Sequence, residues 1–295
     1  MPRRVLDRTV IAAVALTAGL LALPAAAEVI DLGKYPDLKG QWLRPTRGPF
    51  VHGPPWDTSK PEGHGQQAPL TNEYQAIYEA DLADQAAGGP GNNWPGATCR
   101  GHGMPAVMVV FQPMEIVVMP DITYIMPNDV HVHVRRVFTD GREWPKTIQP
   151  SFLGLSHGRW IDEDGDGRYD TLEIETRGFK GPRAIDISGI PLHEDNQTVV
   201  KERLYLDKAD QNLLRNEITI IDNALTRPWM VTQTYRRLPN PRPVWVETEC
   251  AEGQAFVRIG KENYMLSADG YLMPTKRDQA PPDLRYFKTI GKGQP

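Results

Sequence analysis

Short runs of alternating apolar and polar residues, separated by turn residues, fill the chain from Pro105 onward. This period of two places successive side chains on opposite faces of a strand. No helical pattern of useful length separates the runs, so the pattern excludes a parallel α/β sheet and predicts a mainly β fold over 105–295, an antiparallel meander. Asp140 and Gly141 form a DG pair, which favours a tight hairpin turn. The predicted strands are residues 106–112, 114–119, 122–126, 130–138, 158–161, 171–179, 198–206, 212–221, 229–237, 244–250 and 255–260.

Residues 28–104 are rich in Pro, Gly and Asn, which is typical of irregular surface segments. One helix is predicted within them, with Thr71 or Asn72 as the N-cap and Gly88 as the stop. We interpret its apolar stripe as a face that docks on the β domain, and we expect 28–295 to form one structural unit. The stripe consists of Tyr74, Ile77, Tyr78 and Leu82.

The first residues have the layout of a secretory signal peptide. Arg3, Arg4 and Arg8 precede an uncharged apolar run that ends in small residues, and we predict cleavage after Ala27, which removes 1–27. The run is shorter than the roughly 20 residues that a membrane-spanning helix needs. We therefore expect a periplasmic or secreted protein with no transmembrane segment in its mature chain. The Sec and twin-arginine export routes both remain open.

The formal net charge is −4, and it becomes more negative when the arginine-rich signal segment is removed. The mature chain carries no basic cluster. A mildly acidic protein without a basic patch is poorly suited to a phosphate backbone, so no nucleic-acid partner is expected.

Two cysteines, Cys99 and Cys250, are present. In an oxidising compartment an even count of two most simply indicates one disulfide. Such a bridge would close a loop of about 150 residues and stabilise the fold by at most about 4–5 kcal/mol. The alternative, a reactive thiol pair, lacks the CxxC spacing that favours it.

The chain reads DEDGDGRYDTLE from 162 to 173, and this stretch matches a calcium-binding loop at every ligand position. Gly167 occupies the sixth position, where the loop turns sharply. Five carboxylates on one turn would repel each other without a cation. We therefore predict Ca²⁺ as the cofactor; the alternative is a solvated acidic turn. The predicted ligands are Asp162, Asp164, Asp166, the carbonyl of Arg168, Asp170 and Glu173.

The residues on either side of this acidic loop are not those of an EF-hand. Gly and Ser precede it too closely to allow an entering helix, and Leu172 and Ile174 alternate with acids after it. The loop is therefore predicted to join two strands. A cation there would clamp a hairpin, so a structural role is favoured over a sensor role.

Candidate histidines lie in the stretch VHVHVRR and in a later loop. His131, His133 and Arg135 share one face of a predicted strand, and the valines share the other. We expect the valine face to point into the core and the histidines outward, although a role as ligands or catalysts remains open. His193 lies beside Glu194 in a loop suited to the mouth of a barrel.

Glu202 shares a strand face with Val200, Leu204 and Leu206, so the same alternation that buries the leucines buries a carboxylate. A buried carboxylate must find a partner or change its protonation. One interpretation is a structural ion pair with an arginine. The other is a general base or a ligand anchor in a cavity. The candidate partners are Arg159, Arg203 and Arg236.

Gly40 and Trp42 lie near the mature N-terminus in the stretch LKGQWLRP. This Gly-x-Trp resembles the first-strand signature of lipocalin-like barrels, in which the tryptophan closes one end of the barrel. Together with the strand meander, it favours a closed or nearly closed lipocalin-like barrel over a sandwich.

The chain also resembles a group of secreted bacterial proteins of unassigned activity. The resemblance covers 69–252 and rests on the phrases PLTNEYQAIYEA, EIVVMPDITYI, VRRVFTDGREWP, GRWIDEDGDGRYDTLEIETRGF, VVKERLYL and ITIIDNALTRPWMVTQTYRR. Both cysteine neighbourhoods recur in that group, which agrees with a disulfide. Where most relatives have a short hairpin turn, this chain carries the acidic loop. The resemblance supports the architecture and export, and it implies no substrate.

Two main classes of function follow. The first is an exported calcium-binding barrel that holds a small, partly apolar molecule in its cavity, which suits the abundant Trp and Tyr. The second is a cofactor-independent lyase, isomerase or hydrolase that transfers protons with Glu202 and one or more of His131, His133 and His193. A third class, an envelope structural protein, needs no cavity, so a filled barrel would favour it.

Overall fold

A computed structural model describes most of the chain from Leu32 onward. The described residues belong to one compact unit, Leu32–Pro295. They are 32–45, 67–89, 101–109, 112–128, 134–181, 184–185, 189–240, 242–245, 256–260, 262–267 and 269–282.

The described residues form one α-helix, two 3₁₀ helices and a series of strands. The helix α1 spans Asn72–Ala86, and the 3₁₀ helices span Leu32–Lys34 and Ala106–Val109. The strands are β1 Gln41–Leu43, β2 Met114–Val118, β3 Ile122–Pro127, β4 Arg135–Phe138, β5 Leu155–Ile161, β6 Thr171–Arg177, β7 Val199–Leu206, β8 Leu213–Ile221, β9 Trp229–Arg237, β10 Phe256–Ile259, β11 Glu262–Leu266 and β12 Leu272–Pro274.

Strands β1 to β9 close into a barrel in chain order. Each neighbouring pair is antiparallel except β4 and β5, where Val137 is opposite Ser156 in a parallel register. Nine strands that alternated strictly in direction would bring the first and last together in parallel. The one parallel pair therefore allows β9 to close on β1 in antiparallel fashion. The predicted mainly β, largely antiparallel barrel is confirmed.

The parallel pair corrects the sequence reading of Asp140 and Gly141. They begin the long connection from β4 to β5 and do not turn a hairpin. Rings and guanidinium groups hold this connection on the outer wall: Trp144 stacks on His157 with centroids 4.0 Å apart, and Arg142 lies 3.9 Å over the Phe138 ring. A DG pair favours any turn with a positive φ, and this one leads away from the preceding strand.

Alternation along the strands fills the barrel interior. In β7, β8 and β9 every second side chain is buried, and each fully buried aliphatic side chain stabilises the fold by roughly 1.5–3 kcal/mol. The inward set is Val200, Glu202, Leu204, Leu206, Leu214, Asn216, Ile218, Ile220, Trp229, Val231, Gln233 and Tyr235.

Residues 103–109, here called the inner segment, pack against this inner face. The predicted strand at 106–112 is wrong over Ala106–Val109, which forms a buried 3₁₀ turn; residues 110–111 lie outside the described residues. The hydroxyl of the inward Tyr235 donates to the Met108 carbonyl at 2.6 Å, and the Met104 N–H donates to the Phe152 carbonyl at 3.1 Å. A continuous apolar run suits a buried strand and a buried helical turn equally well, which explains the error.

Trp42 lies at one end of the barrel, here called the Trp42 end. Its side chain is fully buried, its indole N–H donates to the Leu38 carbonyl at 2.9 Å, and the Arg237 guanidinium lies 4.4 Å over the ring. The tryptophan of the Gly-x-Trp stretch is therefore buried and held by these two contacts.

Helix α1 begins as predicted, and Thr71 is its N-cap. Its buried face differs from the predicted apolar stripe, because Ile77 and Leu82 are exposed whereas Asp81 and Asp84 are buried. The acids are buried because they have partners: Asp81 accepts from Gln85, and Asp84 pairs with Lys276 of the C-terminal segment at 2.8 Å. That segment forms a small separate sheet, β10 to β12, of which only β10 was predicted.

Candidate functional site

The acidic loop joins β5 to β6, which are antiparallel neighbours, so the predicted strand-loop-strand context is confirmed. Oxygens of Asp162, Asp164 and Asp166 lie within 4.8 Å of one another. These side chains are largely open to solvent. The loop therefore presents three converging carboxylates that a metal ion could reach from outside.

Backbone N–H groups orient these carboxylates. Asp162 accepts from the N–H groups of Gly165 at 2.7 Å and Gly167 at 2.9 Å, and Asp166 accepts from Arg168 at 2.8 Å. Gly165 and Gly167 have φ values of 76° and 87°, which glycine adopts at little steric cost. The glycines thus permit a turn tight enough to bring alternate aspartates onto one side.

The last two predicted ligands do not join this group. Asp170 accepts from the Glu163 N–H at 2.9 Å. Glu173 lies on the outer wall, where Arg159 donates to it at 2.8 Å and Arg203 lies 3.8 Å away. The structure therefore brings together Asp162, Asp164 and Asp166, and it engages Asp170 and Glu173 elsewhere.

The acidic loop is tied to the N-terminal residues of the barrel. The Tyr169 N–H donates to the Lys34 carbonyl at 2.7 Å. Tyr35 packs edge-on against Trp160, with ring centroids 5.3 Å apart, and in a tilted arrangement against Tyr169, with centroids 5.1 Å apart. These contacts connect the conformation of the acidic loop to the packing of residues 34–35 at the end of the barrel where β5 finishes.

A second polar group lies inside the barrel. Arg135 and Glu202 form a buried, two-point ion pair, with one Nη1 to Oε1 distance of 3.1 Å. Asn216 donates to the same carboxylate at 2.9 Å, and Arg135 also donates to Ser156 and Thr176. We call these five residues the interior polar layer.

This layer corrects two sequence expectations. Glu202 is buried as predicted, but its partner is Arg135 and not Arg159, Arg203 or Arg236, which pair with acids outside the barrel. At the one described valine of the predicted core face, the expectation is reversed, because Val134 is 45% exposed whereas Arg135 is 1% exposed. Val130 and Val132 lie outside the described residues. The ion pair decides the orientation of β4, since a lone buried glutamate would cost more than an exposed valine.

Tyr235 and Asn216 extend the layer toward the inner segment. Burial, followed by the nearby charge of Glu202, raises the pKa of Tyr235, and the Asn216 amide lies within hydrogen-bonding reach of its oxygen. Asn216 Oδ1 and Thr123 Oγ1 are fully buried and have no hydrogen-bond partner within the described part of the chain. Sequence reasoning missed Asn216, although it alternates with Leu214, Ile218 and Ile220 and carries the same signal as Glu202.

The histidines do not join Glu202 in a described site. His131 and His133 lie outside the described residues. His193 Nδ1 is 3.0 Å from Asp195 Oδ2, and its ring packs on Tyr74 at 5.0 Å. Although partial burial raises the pKa of Asp195, hydrogen bonds from Gln197 and Asn223 and the charge of His193 hold it below its usual value. This pair lies near the start of α1, and Glu202 takes no part in it.

The cysteines and the signal segment also fall outside the described residues, so the disulfide and export remain predictions. Comparison with protein-family models and with curated proteins finds no match. Among the described residues, no helix has the length and apolar character to cross a membrane.

Proposed function

We propose that this protein is an exported β-barrel that binds Ca²⁺ at the acidic loop. The convergence of Asp162, Asp164 and Asp166 on one side of a glycine turn supports this proposal most directly. Calcium takes six to eight oxygen ligands, and carboxylates supply them well. The bound cation would also offset the repulsion among three close negative charges.

Full coordination would draw on the remaining loop oxygens. The Arg168 carbonyl and Asp170 lie in the same loop, and Glu173 is the third residue of β6. Glu173 would have to exchange its contacts with Arg159 and Arg203 for the metal. We therefore expect a site of moderate affinity that suits an extracellular calcium level.

The proposed role of the metal is to brace one end of the barrel. The loop holds Lys34 through Tyr169, and Tyr35 packs on Trp160. A cation that binds only the folded loop stabilises the whole fold by RT ln(1 + [L]/Kd), about 2.7 kcal/mol at a hundredfold excess over Kd.

The proposal extends to a small, partly apolar molecule held inside the barrel. The support is chemical: the mostly apolar inner face carries two buried atoms, Asn216 Oδ1 of the interior polar layer and Thr123 Oγ1 of β3, which have no hydrogen-bond partner among the described residues. Buried polar groups normally have hydrogen-bond partners. A bound molecule with a donor group would satisfy them.

The enzyme alternative has weaker support. Glu202 is held by Arg135 and Asn216, and both of its oxygens are occupied. A general base must reach a substrate proton within hydrogen-bonding distance. The contacts of Glu202 therefore favour the structural interpretation of this carboxylate.

Terbium luminescence tests the calcium proposal. Tb³⁺ occupies calcium sites and is excited by nearby aromatic rings, and Tyr169 lies within the acidic loop. We expect saturable Tb³⁺ emission that Ca²⁺ displaces and that Asp164→Ala with Asp166→Ala abolishes.

The matched control is Asp121→Ala with Asp269→Ala, which removes two exposed acids outside the loop. It should retain the emission. Equal emission from both double variants would show that Tb³⁺ binds the acidic surface in general, and the proposed site would be wrong.

A further inference from the structure

The interior polar layer lies in an enclosed part of the barrel. Thr123, Thr176 and Asn216 have no exposed surface, and Arg135 and Glu202 are at most 2% exposed. These side chains are therefore closed off from solvent in this conformation. A molecule could reach it only if something inside the barrel moved.

The inner segment has the chemical features of a small ligand: an apolar body and a carbonyl oxygen that bonds the wall. It contributes the apolar side chains of Met104, Val107 and Met108, which belong to the same core as the barrel's inward residues. Its polar contact with the wall is the Met108 carbonyl, which accepts from the Tyr235 hydroxyl at 2.6 Å. Met is flexible and adapts to irregular spaces, so such a segment can repack.

The inner segment leaves polar atoms of the wall unsatisfied. Asn216 donates its amide to Glu202 at 2.9 Å, and its Oδ1 is buried with no hydrogen-bond partner among the described residues. Thr123 Oγ1 is buried in the same way. A molecule that offered a donor group to these atoms would therefore make contacts that the described part of the chain does not make.

We propose that the inner segment occupies the barrel's ligand position and leaves it to admit a small molecule with similar chemistry. That molecule has an apolar body, a carbonyl or hydroxyl oxygen that accepts from Tyr235, and a donor group for Asn216 Oδ1. The inference rests on the proposed ligand-binding function and adds the position, the ligand class and the displaced segment.

Hydrogen exchange tests whether the segment moves independently of the barrel. The N–H groups of Val107 and Met108 are bonded within the segment, to Gly103 and Pro105. We expect these amides to exchange about tenfold faster or more than the amides of β7 and β8, through a local opening that needs little denaturant. Exchange at the same rate as β7 and β8 would overturn the inference.

Probe binding tests whether the opening creates the site. The probe is N-phenyl-1-naphthylamine, whose fluorescence rises in apolar surroundings. Tyr235→Phe removes the anchor of Met108 without removing the ring, so we expect several-fold tighter probe binding than in the wild type. Tyr205→Phe is the matched control, because its hydroxyl bonds Glu217 on the outer wall. Val107→Ala, a milder change in the segment, should act in the same direction as Tyr235→Phe.

The outcomes separate the two proposals. Probe binding that Tyr235→Phe and Val107→Ala leave unchanged would overturn the displaced-segment inference while ligand binding stands. Fast local exchange without probe binding in any variant would overturn ligand binding itself, and the inference with it.

Discussion

At the scale of single residues, Arg135 and Glu202 lie where neither side chain reaches water. Their two-point contact and the added bonds from Asn216, Ser156 and Thr176 satisfy most of their polar atoms. A buried ion pair contributes little net stability, but an isolated buried charge costs a great deal. The pair therefore acts mainly through what happens when one member is lost.

Glu202→Gln or Arg135→Met alone should lower the free energy of unfolding by about 3–5 kcal/mol, because either change leaves an uncompensated polar group in the core. The double replacement, Arg135→Met with Glu202→Leu, should recover much of that loss. Urea unfolding measures both. Arg159→Gln, which breaks an exposed pair, is the control and should cost at most about 1 kcal/mol. If the Arg135 and Glu202 variants lost no more unfolding free energy than Arg159→Gln, the result would contradict a buried ion pair.

His157 gives the barrel a dependence on pH. Burial lowers its pKa below the usual value of 6.5, the charge of Arg142 lowers it further, and Asp140 and Glu175 partly offset this. Below about pH 6.5 the unfolded chain therefore binds more protons than the folded one, so stability should fall as the pH falls through the window beneath that value.

Denaturant unfolding between pH 5 and 8 measures this dependence. His157→Gln should flatten the decline below about pH 6.5, whereas His193→Gln, a matched loss of another partly buried histidine, should leave it in place. An unchanged decline in His157→Gln would assign the effect to other groups.

At the scale of elements, the alternation of apolar and polar residues predicted most of the strands, but it did not predict which distant strands pair or in which direction. Strands β2, β3 and β6 to β9 could be predicted because one face of each is apolar, and the acidic loop could be placed between strands from its flanks. The parallel β4–β5 pair could not, because it follows from the closure of nine strands and not from any local pattern. The inner segment was missed because its apolar run has no period.

Helix α1 shows how far cap chemistry can be read from sequence. Both Thr71 and Asn72 were candidate caps, and the Thr71 hydroxyl accepts from the Tyr74 N–H at 3.4 Å. Thr71→Ala should therefore lower stability by about 1 kcal/mol. Asn72→Ala, one residue into the helix, should change it far less. Thermal unfolding of the two variants compares them directly, and a larger loss from Asn72→Ala would contradict the assignment.

At the scale of the whole molecule, ring packing beside the acidic loop holds one end of the barrel, and residues 103–109 pack with the barrel's inward side chains. Cavity occupancy could not be read from the sequence, because it depends on which segment packs inside. The candidate metal site could be predicted in part from the sequence, because the alternate aspartates 162, 164 and 166 converge. Asp170 and Glu173 instead bond Glu163 and Arg159, and these contacts depend on the folded structure.

The disulfide between Cys99 and Cys250 remains a prediction about the whole fold. In the mature protein we expect no free thiol under denaturing, non-reducing conditions. Reduction should lower the unfolding free energy by at most about 4–5 kcal/mol, because a loop of about 150 residues is then released in the unfolded chain. Two titratable thiols before reduction would contradict the prediction.

A thermal-shift titration of the chelated mature protein tests the central claim, that the acidic loop is a calcium site that braces the barrel. Calcium should raise the melting temperature of the wild type with a dose dependence that follows RT ln(1 + [L]/Kd), and magnesium should do so much less. Asp164→Ala with Asp166→Ala should remove the rise. Identical melting of wild type and double variant, with and without calcium, would show that the loop is a solvated acidic turn.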